Sequence, residues 1–545
     1  MRSRAFIAFT ALTGALVSGG WLLQRGFERT DSVYARARLF DDVLDRVARD
    51  YVDSIPEAEL YQKATAGMVE ELHDPHSTYL TPDRLRRLNE STSGTYAGLG
   101  VQIDVRDGWI TVISPLPGTP AERAGIQPGD RIVAVDGRST EGLSADEARD
   151  ALRGPKGSSV ALLIERPGVA ARLPFTVQRA EIHVRSVRHP MMLTDRTGYV
   201  DLTIFSQSSE DELRNAIASL RRRGMKTLLF DLRANPGGLL EEGVGIADMF
   251  LDPGQKIVSM RGRSPEATHE FTDEARQLWP DLVVVALVDE HSASAAEIVA
   301  GALQDHDRAV IVGSTTYGKG SAQSVFQLGG GAGALKLTTA RWFTPSGRSI
   351  QKPTTDTTAA SDDGDDRPDS AVEKPLAART PYRTDDGRVV YGGGGITPDL
   401  IVASEDSTDG MLAFWRSLGQ DIPRFRDALT EYALDVKASK QVASPDFVVT
   451  PAMREAFWRR LAAKRIALDR AHFDAAARTV DRLLGYEITR YVFGADAEFR
   501  RKLRDDRVVA AALDLVAGAS TERDVLARAA ARRAAKQEDV PHGTS

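Results

Sequence analysis

A serine at the start of a helix and a lysine further along the chain could together perform nucleophilic chemistry. Ser294 follows a mostly apolar segment, 282–289, that predicts a buried strand, and it precedes residues 295–303, which predict a helix. A serine at such a strand-to-helix turn lies near the first helical amides, beginning with Ala295 N–H, which can stabilise an anion. The same turn has a simpler interpretation, in which Ser294 and Glu297 form a capping box and only begin the helix.

A serine hydroxyl needs a neighbouring base to take its proton before it can attack a carbonyl. The usual base is histidine, but His291 is too near in sequence to reach around the turn, and His306 follows the helix on its far side. Lys319 lies between two glycines after residues 309–312, which predict a strand. If burial lowers its pKa, the neutral amine can accept the proton, and activity should rise as the pH passes that pKa. The alternative is that a lysine between glycines marks an exposed turn.

These segments together resemble one peptidase family. The residues SASAAE at 292–297, then Lys319 located 25 residues after Ser294, then Gln323, match the pattern S-A-S-A-x-E followed by G-K-G-x-x-Q. This is the pattern of the C-terminal processing peptidases, also called tail-specific proteases. The resemblance implies that Ser294 is the nucleophile, Lys319 the general base and Gln323 the side chain that orients the lysine. A separation of four positions puts the Gln323 and Lys319 side chains on the same face of the segment, whether it is a strand or a helix.

The segment FDLRANPGGLL at 230–240 closely matches another motif of the family, D-L-R-x-N-P-G-G. Because Gly237 has no side chain, its amide can approach a substrate carbonyl, so we expect it to form an oxyanion hole with Ala295 N–H. The alternative is a simple turn. Asp305 also falls on a family motif position, but we expect a structural role for it, as a helix cap or as the partner of Arg308.

Residues 96–178 have an order of elements that resembles a PDZ domain. The pattern predicts a hairpin over 101–113, a short helix over 121–124, a strand over 132–135, a helix capped by Ser144 and an extended segment over 159–164. The resemblance implies that a glycine-containing loop binds the terminal carboxylate of a peptide, which adds a strand beside the segment that follows. The residues expected to bind this peptide are Gly98, Leu99, Gly100, Val101 and Ile103.

Three strand–loop–helix units, at 225–250, 281–303 and 308–323, predict an α/β layer with its loops gathered at one end of a sheet. The fold class expected is α/β multidomain, with a mixed sheet and a crotonase-like resemblance in the protease core. The predicted divisions are an N-terminal membrane anchor or signal segment at 1–30, a helical part of the protease at 31–95, the PDZ domain at 96–178, the protease core at 179–352, a disordered acidic insertion at 353–381, a return to the core at 382–405, a C-terminal helical domain at 406–527 and a flexible tail at 528–545.

Composition excludes several classes of function. The chain has 545 residues, of which 42% are hydrophobic, so it is long enough for several globular domains. Its formal net charge of −7 gives no reason to expect a nucleic-acid partner. The absence of cysteine excludes thiolate nucleophiles and cysteine-bound metals. His73 and His76 have the spacing of a metal pair but no evident third ligand, so neither a metal nor another cofactor is expected.

The N-terminus predicts export. After Arg2 and Arg4, residues 5–23 carry no charge, and a helix of that length nearly spans a bilayer. We favour an uncleaved anchor in the inner membrane, with the catalytic part facing the periplasm or the exterior. The alternative is a signal peptide cleaved near Val17-Ser18-Gly19, which would release the protein into the periplasm.

The combined prediction is an exported serine endopeptidase that binds unstructured protein C-termini through a PDZ domain and cleaves the polypeptide with a Ser/Lys pair. The C-terminal helices could also support a homo-oligomer. Two rival functions remain at this stage. One is a PDZ scaffold whose protease core is inert, and the other is a Ser/Lys amidase that acts on small molecules.

Overall fold

A computed structural model describes residues 34–352, 379–403 and 408–538 of the chain. The predicted anchor or signal segment, most of the predicted insertion and the last seven residues lie outside these described residues. The structure divides into two compact units. The first contains residues up to Leu85 together with Gln323–Thr338, and the second contains Arg86–Ala322 and the chain from Thr339 onward. Within the described ranges, no helix is both long and apolar enough to cross a membrane.

The helices, in chain order, are α1 (34–50), α2 (Glu57–Glu70), α3 (Pro82–Ser93), α4 (Pro120–Arg123), α5 (Ala145–Leu152), α6 (Ser209–Arg222), α7 (Leu240–Asp248), α8 (Ala295–Asp305), α9 (Asp409–Leu418), α10 (Ile422–Ala438), α11 (Pro451–Ala463), α12 (Arg470–Ala475), α13 (Ala477–Phe493), α14 (Ala495–Arg504), α15 (Arg507–Val516) and α16 (Glu522–Glu538).

The strands are β1 (Thr78–Leu80), β2 (Thr95–Gly98), β3 (Val101–Arg106), β4 (Trp109–Pro115), β5 (Arg131–Val135), β6 (Arg138–Ser139), β7 (Ser159–Glu165), β8 (Leu173–Gln178), β9 (Ala180–His183), β10 (Met191–Met192), β11 (Thr197–Asp201), β12 (Thr227–Asp231), β13 (Lys256–Gly262), β14 (His269–Thr272), β15 (Val283–Val288), β16 (Val310–Gly313), β17 (Ser321–Gln327), β18 (Ala334–Phe343), β19 (Pro381–Arg383), β20 (Val389–Tyr391) and β21 (Leu400–Ile401).

In the first unit, β1 pairs antiparallel with the first residues of β18, so that Thr78 lies opposite Lys336. The hydroxyl of Ser77 extends this pairing by accepting the backbone N–H of Thr338 at 3.0 Å. Helix α1 lies within the predicted helical part at 31–95, but its apolar side chains Leu39, Val43 and Val47 are exposed.

In the second unit, the segment with the predicted PDZ order forms a sheet with strand order β3-β4-β5-β7-β8, and β6 pairs with β5. The capping box that begins α5 is present, because Ser144 and Glu147 exchange hydrogen bonds between their side chains and backbone N–H groups. Strand β3 is the terminal strand of this sheet and pairs with β4 on one side. Its other edge can therefore accept an added strand.

The core sheet has the order β10-β11-β12-β15-β16-β21. Strand β10 is antiparallel and the other pairs are parallel, so the sheet is mixed. Its central strands are buried throughout because helices cover both faces. In β15, Val284 and Ala286 pack with the face that carries α6–α8, whereas Val285 and Leu287 pack with α15 and α16.

The C-terminal helices serve two different parts of the fold. Helices α9–α13 share an apolar core of their own, whereas α15 and α16 cover one face of the protease sheet. The sequence predicts a flexible tail from residue 528, and in the structure residues 528–538 of this segment continue α16. The reason is that Ala529 is buried in the apolar layer against the sheet, which stabilises the end of the helix.

One buried cation joins the PDZ sheet to the C-terminal helices. Arg106, at the end of β3, is 8% exposed and donates to Thr430 of α10. Its guanidinium also contacts Glu487 and the hydroxyl of Tyr491 on α13, each at 3.4 Å. These layers confirm the predicted fold class, an α/β multidomain protein with a mixed sheet and a helical C-terminal region.

Candidate active site

The turn between β15 and α8 is held by bonds to the neighbouring turn after β12. Ser292 donates its hydroxyl to the Leu232 carbonyl at 2.8 Å, and Ala293 N–H donates to the Asn235 carbonyl at 2.9 Å. Ser294 follows with φ 54° and ψ −115°, in a region that residues with a Cβ rarely adopt. Such strain persists only where surrounding contacts impose it, and it occurs most often at functional sites.

Helix α8 begins directly after Ser294, and all its residues are buried. The backbone N–H of Ser294 donates to Oε2 of Glu297 at 3.0 Å, which is the carboxylate half of the predicted capping box. Ser294 therefore begins a helix, as the simpler interpretation requires. This position also places it beside the first amides of α8, as the catalytic interpretation requires.

Glu297 is fully buried and gathers four donors. Its Oε1 accepts the Thr316 hydroxyl at 2.5 Å and Gly318 N–H at 2.7 Å. Its Oε2 accepts Lys319 N–H at 2.9 Å in addition to Ser294 N–H. Burial raises the pKa of Glu297, while these hydrogen bonds favour its charged form. One carboxylate thus fixes the backbone at both Ser294 and Lys319.

The loop that carries Lys319 is packed from the side by residues 350–352. A Cβ on Gly318 would lie 2.8 Å from Lys352 Cγ, and a Cβ on Gly320 would lie 3.0 Å from Gln351 N. The carbonyl of Lys319 accepts the indole N–H of Trp342 at 3.1 Å, and Lys319 itself is half-buried. The glycines therefore allow close packing of the backbone and do not mark an exposed turn.

Gln323 lies in β17 and belongs to the first compact unit. Its side-chain amide donates to the Thr338 hydroxyl at 3.1 Å. Its role in orienting Lys319 stays a prediction that derives from the family motif.

Gly237 lies against the start of α8. Its φ is +95°, and a Cβ there would lie 2.7 Å from Ser294 Cβ and 2.9 Å from Ala295 N. Its own N–H, however, donates to Oδ1 of Asn235 at 2.8 Å. Asn235 is fully buried and anchored by a bond from its Nδ2 to the Leu202 carbonyl at 2.7 Å. The Gly237 amide can serve an oxyanion only if it shares or exchanges its bond to Asn235.

Asp305 is a structural residue in a buried ion pair. Its Oδ1 accepts from Arg348 Nη2 at 2.7 Å, and both side chains are fully buried. Its Oδ2 accepts from Thr344 Oγ1 at 2.5 Å and from Ser346 N–H at 3.0 Å. The predicted pairing of Asp305 with Arg308 is wrong, because the Arg308 guanidinium pairs with the Glu522 carboxylate of α16 at 2.6 Å.

A groove of about 280 Å³ runs between β3 and α5. The five residues predicted to bind a peptide line it, together with side chains from α5 and the segment after it. Tyr96 of β2 also lines the groove, and sequence reasoning selected neither it nor Arg149, Leu152 and Arg153. The groove follows the free edge of β3, where a peptide strand can pair with the backbone.

Sequence reasoning also missed two roles. Glu297 is a clamp that holds the backbones of Ser294 and Lys319, and Asn235 accepts the N–H of Gly237. Both residues stand inside the motifs that drew attention to Ser294 and Gly237, so a signal was available. Glu297 was interpreted only as a helix cap, and Asn235 only as a turn residue. The contacts that give them other roles join segments far apart in the chain.

Comparison with known proteins finds similarity to two families of domains. The profile of peptidase family S41 matches residues 196–359, and a PDZ domain profile matches residues 111–166. The chain is 37% identical over 350 residues to the carboxy-terminal-processing protease of Bartonella bacilliformis, covering 64% of this chain and 79% of the relative. It is 35% identical over 308 residues to the carboxy-terminal processing protease CtpA of Bacillus subtilis, covering 56% of this chain and 65% of the relative.

Two solved structures are also similar to parts of the chain. A photosystem II D1 C-terminal processing protease is 29% identical with a TM-score of 0.34, covering 57% of this chain and 89% of that one. The PDZ domain of a carboxy-terminal protease from Vibrio cholerae, solved in complex with a peptide, is 27% identical with a TM-score of 0.16, covering 16% of this chain and 98% of that one.

The sheet, the helix that begins at Ser294 and the family matches define a serine peptidase of family S41 that contains a PDZ domain. Within that family, the chain belongs to the carboxy-terminal processing proteases. The family resemblance stated from the sequence motifs is thereby confirmed.

Proposed function

We propose that this protease cleaves polypeptides with Ser294 as nucleophile and Lys319 as general base. The observation that carries the proposal is the shared carboxylate: Ser294 N–H and Lys319 N–H donate to the same oxygen of Glu297. The bond holds the two backbones in a fixed relation, which is what a nucleophile and its base require. Lys319 is half-buried, and the proposal requires its amine to be neutral when it accepts the serine proton.

In the proposed reaction, the neutral amine of Lys319 takes the proton of the Ser294 hydroxyl as the oxygen attacks a peptide carbonyl. The amide groups of Ala295 and Gly237 stabilise the oxyanion. The C–N bond then breaks, and the departing amine receives the proton from Lys319. Water, deprotonated by the same lysine, hydrolyses the acyl-enzyme and restores Ser294. Gln323 orients Lys319, a role that rests on the family motif.

In the absence of substrate the Gly237 N–H donates to Asn235 Oδ1, so this bond must be given up before the amide can bind an oxyanion. We infer that substrate binding shifts the Gly237 N–H from Asn235 Oδ1 to the substrate oxygen. The Asn235 side chain keeps its bond to Leu202, so the turn stays anchored while the amide changes acceptor. A donor that is already positioned costs little reorganisation during the reaction.

The proposed substrates are unstructured proteins with a free C-terminus, which bind along β3 in the groove beside α5. We further propose that the enzyme is exported, because residues 5–23 are uncharged and follow two arginines. Retention of this segment would anchor the enzyme in the inner membrane, and its cleavage would release it to the periplasm. Assembly through the C-terminal helices stays a prediction.

The test compares the unaltered enzyme with Ser294→Ala and Lys319→Ala on an unfolded protein with a free C-terminus. Each substitution should lower the cleavage rate by at least about a thousandfold, because the pair acts as a unit. Lys256→Ala is the matched control, since Lys256 is a partly exposed lysine of the same unit that pairs with Glu270. Equal cleavage by all variants would defeat the assignment. Peptide binding without cleavage would favour the scaffold, and cleavage of small amides alone would favour the amidase.

A further inference from the structure

An arginine joins the turn that carries Gly237 to a C-terminal helix. Arg233 lies between the end of β12 and Gly237. Its Nε and Nη2 donate to the two carboxylate oxygens of Asp231, the last residue of β12, at 2.9 and 2.6 Å. Its Nη1 forms an ion pair with Oδ2 of Asp506 at 2.7 Å. One guanidinium thus bridges two carboxylates from distant parts of the chain.

The second carboxylate also begins α15. Oδ1 of Asp506 accepts the backbone N–H groups of Val508 and Val509, at 2.9 and 3.1 Å, so Asp506 is the N-cap of this helix. Val508 and Val509 are buried in the apolar layer that α15 forms against the core sheet. Because one oxygen of Asp506 binds the helix and the other pairs with Arg233, the position of α15 sets the position of the guanidinium.

The bridge is sheltered from solvent. The side chain of Asp231 is 7% exposed, that of Arg233 17% and that of Asp506 20%. Asp231 is held in turn by the Tyr199 hydroxyl, which donates to Oδ2 at 2.7 Å. An exposed ion pair holds its partners loosely, whereas a two-pronged arginine–carboxylate pair away from water has a defined geometry. The backbone at Arg233 is therefore fixed by its own side chain.

The residue after the bridge is in an unfavourable conformation. Ala234 has a φ of +53°, which residues with a Cβ rarely adopt. Its N–H donates to Oδ1 of Asp289, in the turn after β15, at 2.9 Å. Such a conformation persists only where its surroundings impose it. The Arg233 bridge on one side and the bond to Asp289 on the other supply that restraint. The direction in which the chain continues to Gly237 depends on both.

We propose that Arg233 and Asp506 are positioning residues for the oxyanion hole, so that α15 fixes the turn that presents the Gly237 N–H. This inference rests on the proposed function of Gly237 as an oxyanion donor. Both side chains act through the backbone of the turn and not through contact with the substrate. An oxyanion donor acts mainly in the transition state, when the carbonyl oxygen gains charge. Its misplacement therefore lowers kcat more than it changes KM.

The experiment uses the full chain with Asp506→Asn. An asparagine oxygen still caps α15, but the side chain no longer carries the charge that pairs with Arg233. On an internally quenched decapeptide with a free C-terminus, kcat should fall by about tenfold and KM should stay within about twofold. Affinity for a peptidyl boronic acid should fall by the same factor as kcat, because its adduct with Ser294 places an oxygen in the oxyanion hole. The urea midpoint should change little, since the cap is kept.

Arg233→Lys should lower kcat at least as much, because an ammonium group lacks the planar fork that bridges the two carboxylates. Asp469→Asn is the matched control, since Asp469 caps α12 through the Ala471 N–H. It should leave kcat and boronate affinity unchanged.

Two results for Asp506→Asn would overturn the inference while the proposed function stands. One is a kcat equal to that of the unaltered chain. The other is a lower kcat with unchanged boronate affinity, because the defect would then lie outside the oxyanion hole. If the unaltered chain neither cleaves the peptide nor binds the boronate, the proposed function fails and the inference fails with it.

Discussion

The backbone N–H groups of Ser294 and Lys319 donate to the same carboxylate oxygen, Oε2 of Glu297, at 3.0 and 2.9 Å. Ser294 begins a helix that follows one strand of the core sheet, and Lys319 lies in the loop that follows the next strand. Two segments that parallel strands bring to the same edge of a sheet are thus joined by one buried carboxyl group. The carboxylate fixes the relative position of the proposed nucleophile and its base.

Glu297→Gln tests this clamp. A carboxamide can accept hydrogen bonds on its oxygen only, so its NH₂ group must face two of the N–H and O–H donors that now meet Glu297. We expect kcat to fall by about ten- to a hundredfold through misplacement of the reacting groups, with a smaller change in KM. Steady-state kinetics on a peptide substrate would show this, with circular dichroism to confirm folding. Glu270→Gln, a more exposed carboxylate in the same unit, should leave kcat unchanged. Equal kinetics for both variants would contradict the clamp.

Gly237→Ala tests the close approach of the two turns. The added methyl would lie 2.7 Å from the Ala293 carbonyl and from Ser294 Cβ, so one turn must move. We expect kcat to fall by about a hundredfold or more, as for the loss of an oxyanion donor. Gly254→Ala is the control for backbone strain, because Gly254 has φ +90° but open space around it. Activity in Gly237→Ala equal to that of the control would show that the approach is not needed.

The local elements around the site could be predicted because their signals are local. The apolar segment before Ser294 predicts β15, and the periodicity after it predicts α8, with bounds within a few residues of those observed. The positive φ of Ser294 could not be predicted, because tertiary contacts impose it and serine has no preference for that conformation. The four hydrogen bonds to Glu297 could not be predicted for a related reason: three of the four donors come from another loop.

Long-range pairing limited the sequence analysis elsewhere. Asp305 was expected near Arg308 because the two are close in sequence, yet its partner is Arg348, which a later segment brings back to α8. The amphipathic patterns of α15 and α16 predict helices with an apolar face. They do not say that this face covers the protease sheet, since any apolar surface would satisfy the same pattern.

Arg106→Ala tests the contact between the PDZ sheet and the C-terminal helices. The substitution removes the buried guanidinium that donates to Thr430 and faces the half-buried Glu487 of α13, which costs roughly 2 kcal/mol. We expect faster hydrogen exchange in β3 and in α10 and α13, and a lower urea midpoint. Arg131→Ala removes a more exposed arginine that pairs with Asp107 at 3.5 Å, and it should change the midpoint much less. Unchanged exchange at β3 in Arg106→Ala would show that the contact does not hold the PDZ domain.

Asp427 makes the same interface sensitive to pH. Burial, together with the neighbouring carboxylate of Asp107, raises the pKa of Asp427 to about 7, although Arg106 and Lys464 oppose the shift. A carboxyl group whose pKa is higher in the folded than in the unfolded chain stabilises the fold at low pH and loses this contribution as the pH rises through the folded value. We therefore expect the free energy of unfolding to fall by about 1–2 kcal/mol between pH 5 and pH 8. In Asp427→Asn the proton is no longer needed, so this part of the decrease should vanish and the variant should be the more stable protein at pH 8.

Urea unfolding at pH 5, 6, 7 and 8 measures the difference, with Asp435→Asn, an exposed position on the same helix, as control. Parallel pH profiles for Asp427→Asn and the unaltered chain would contradict the raised pKa of Asp427.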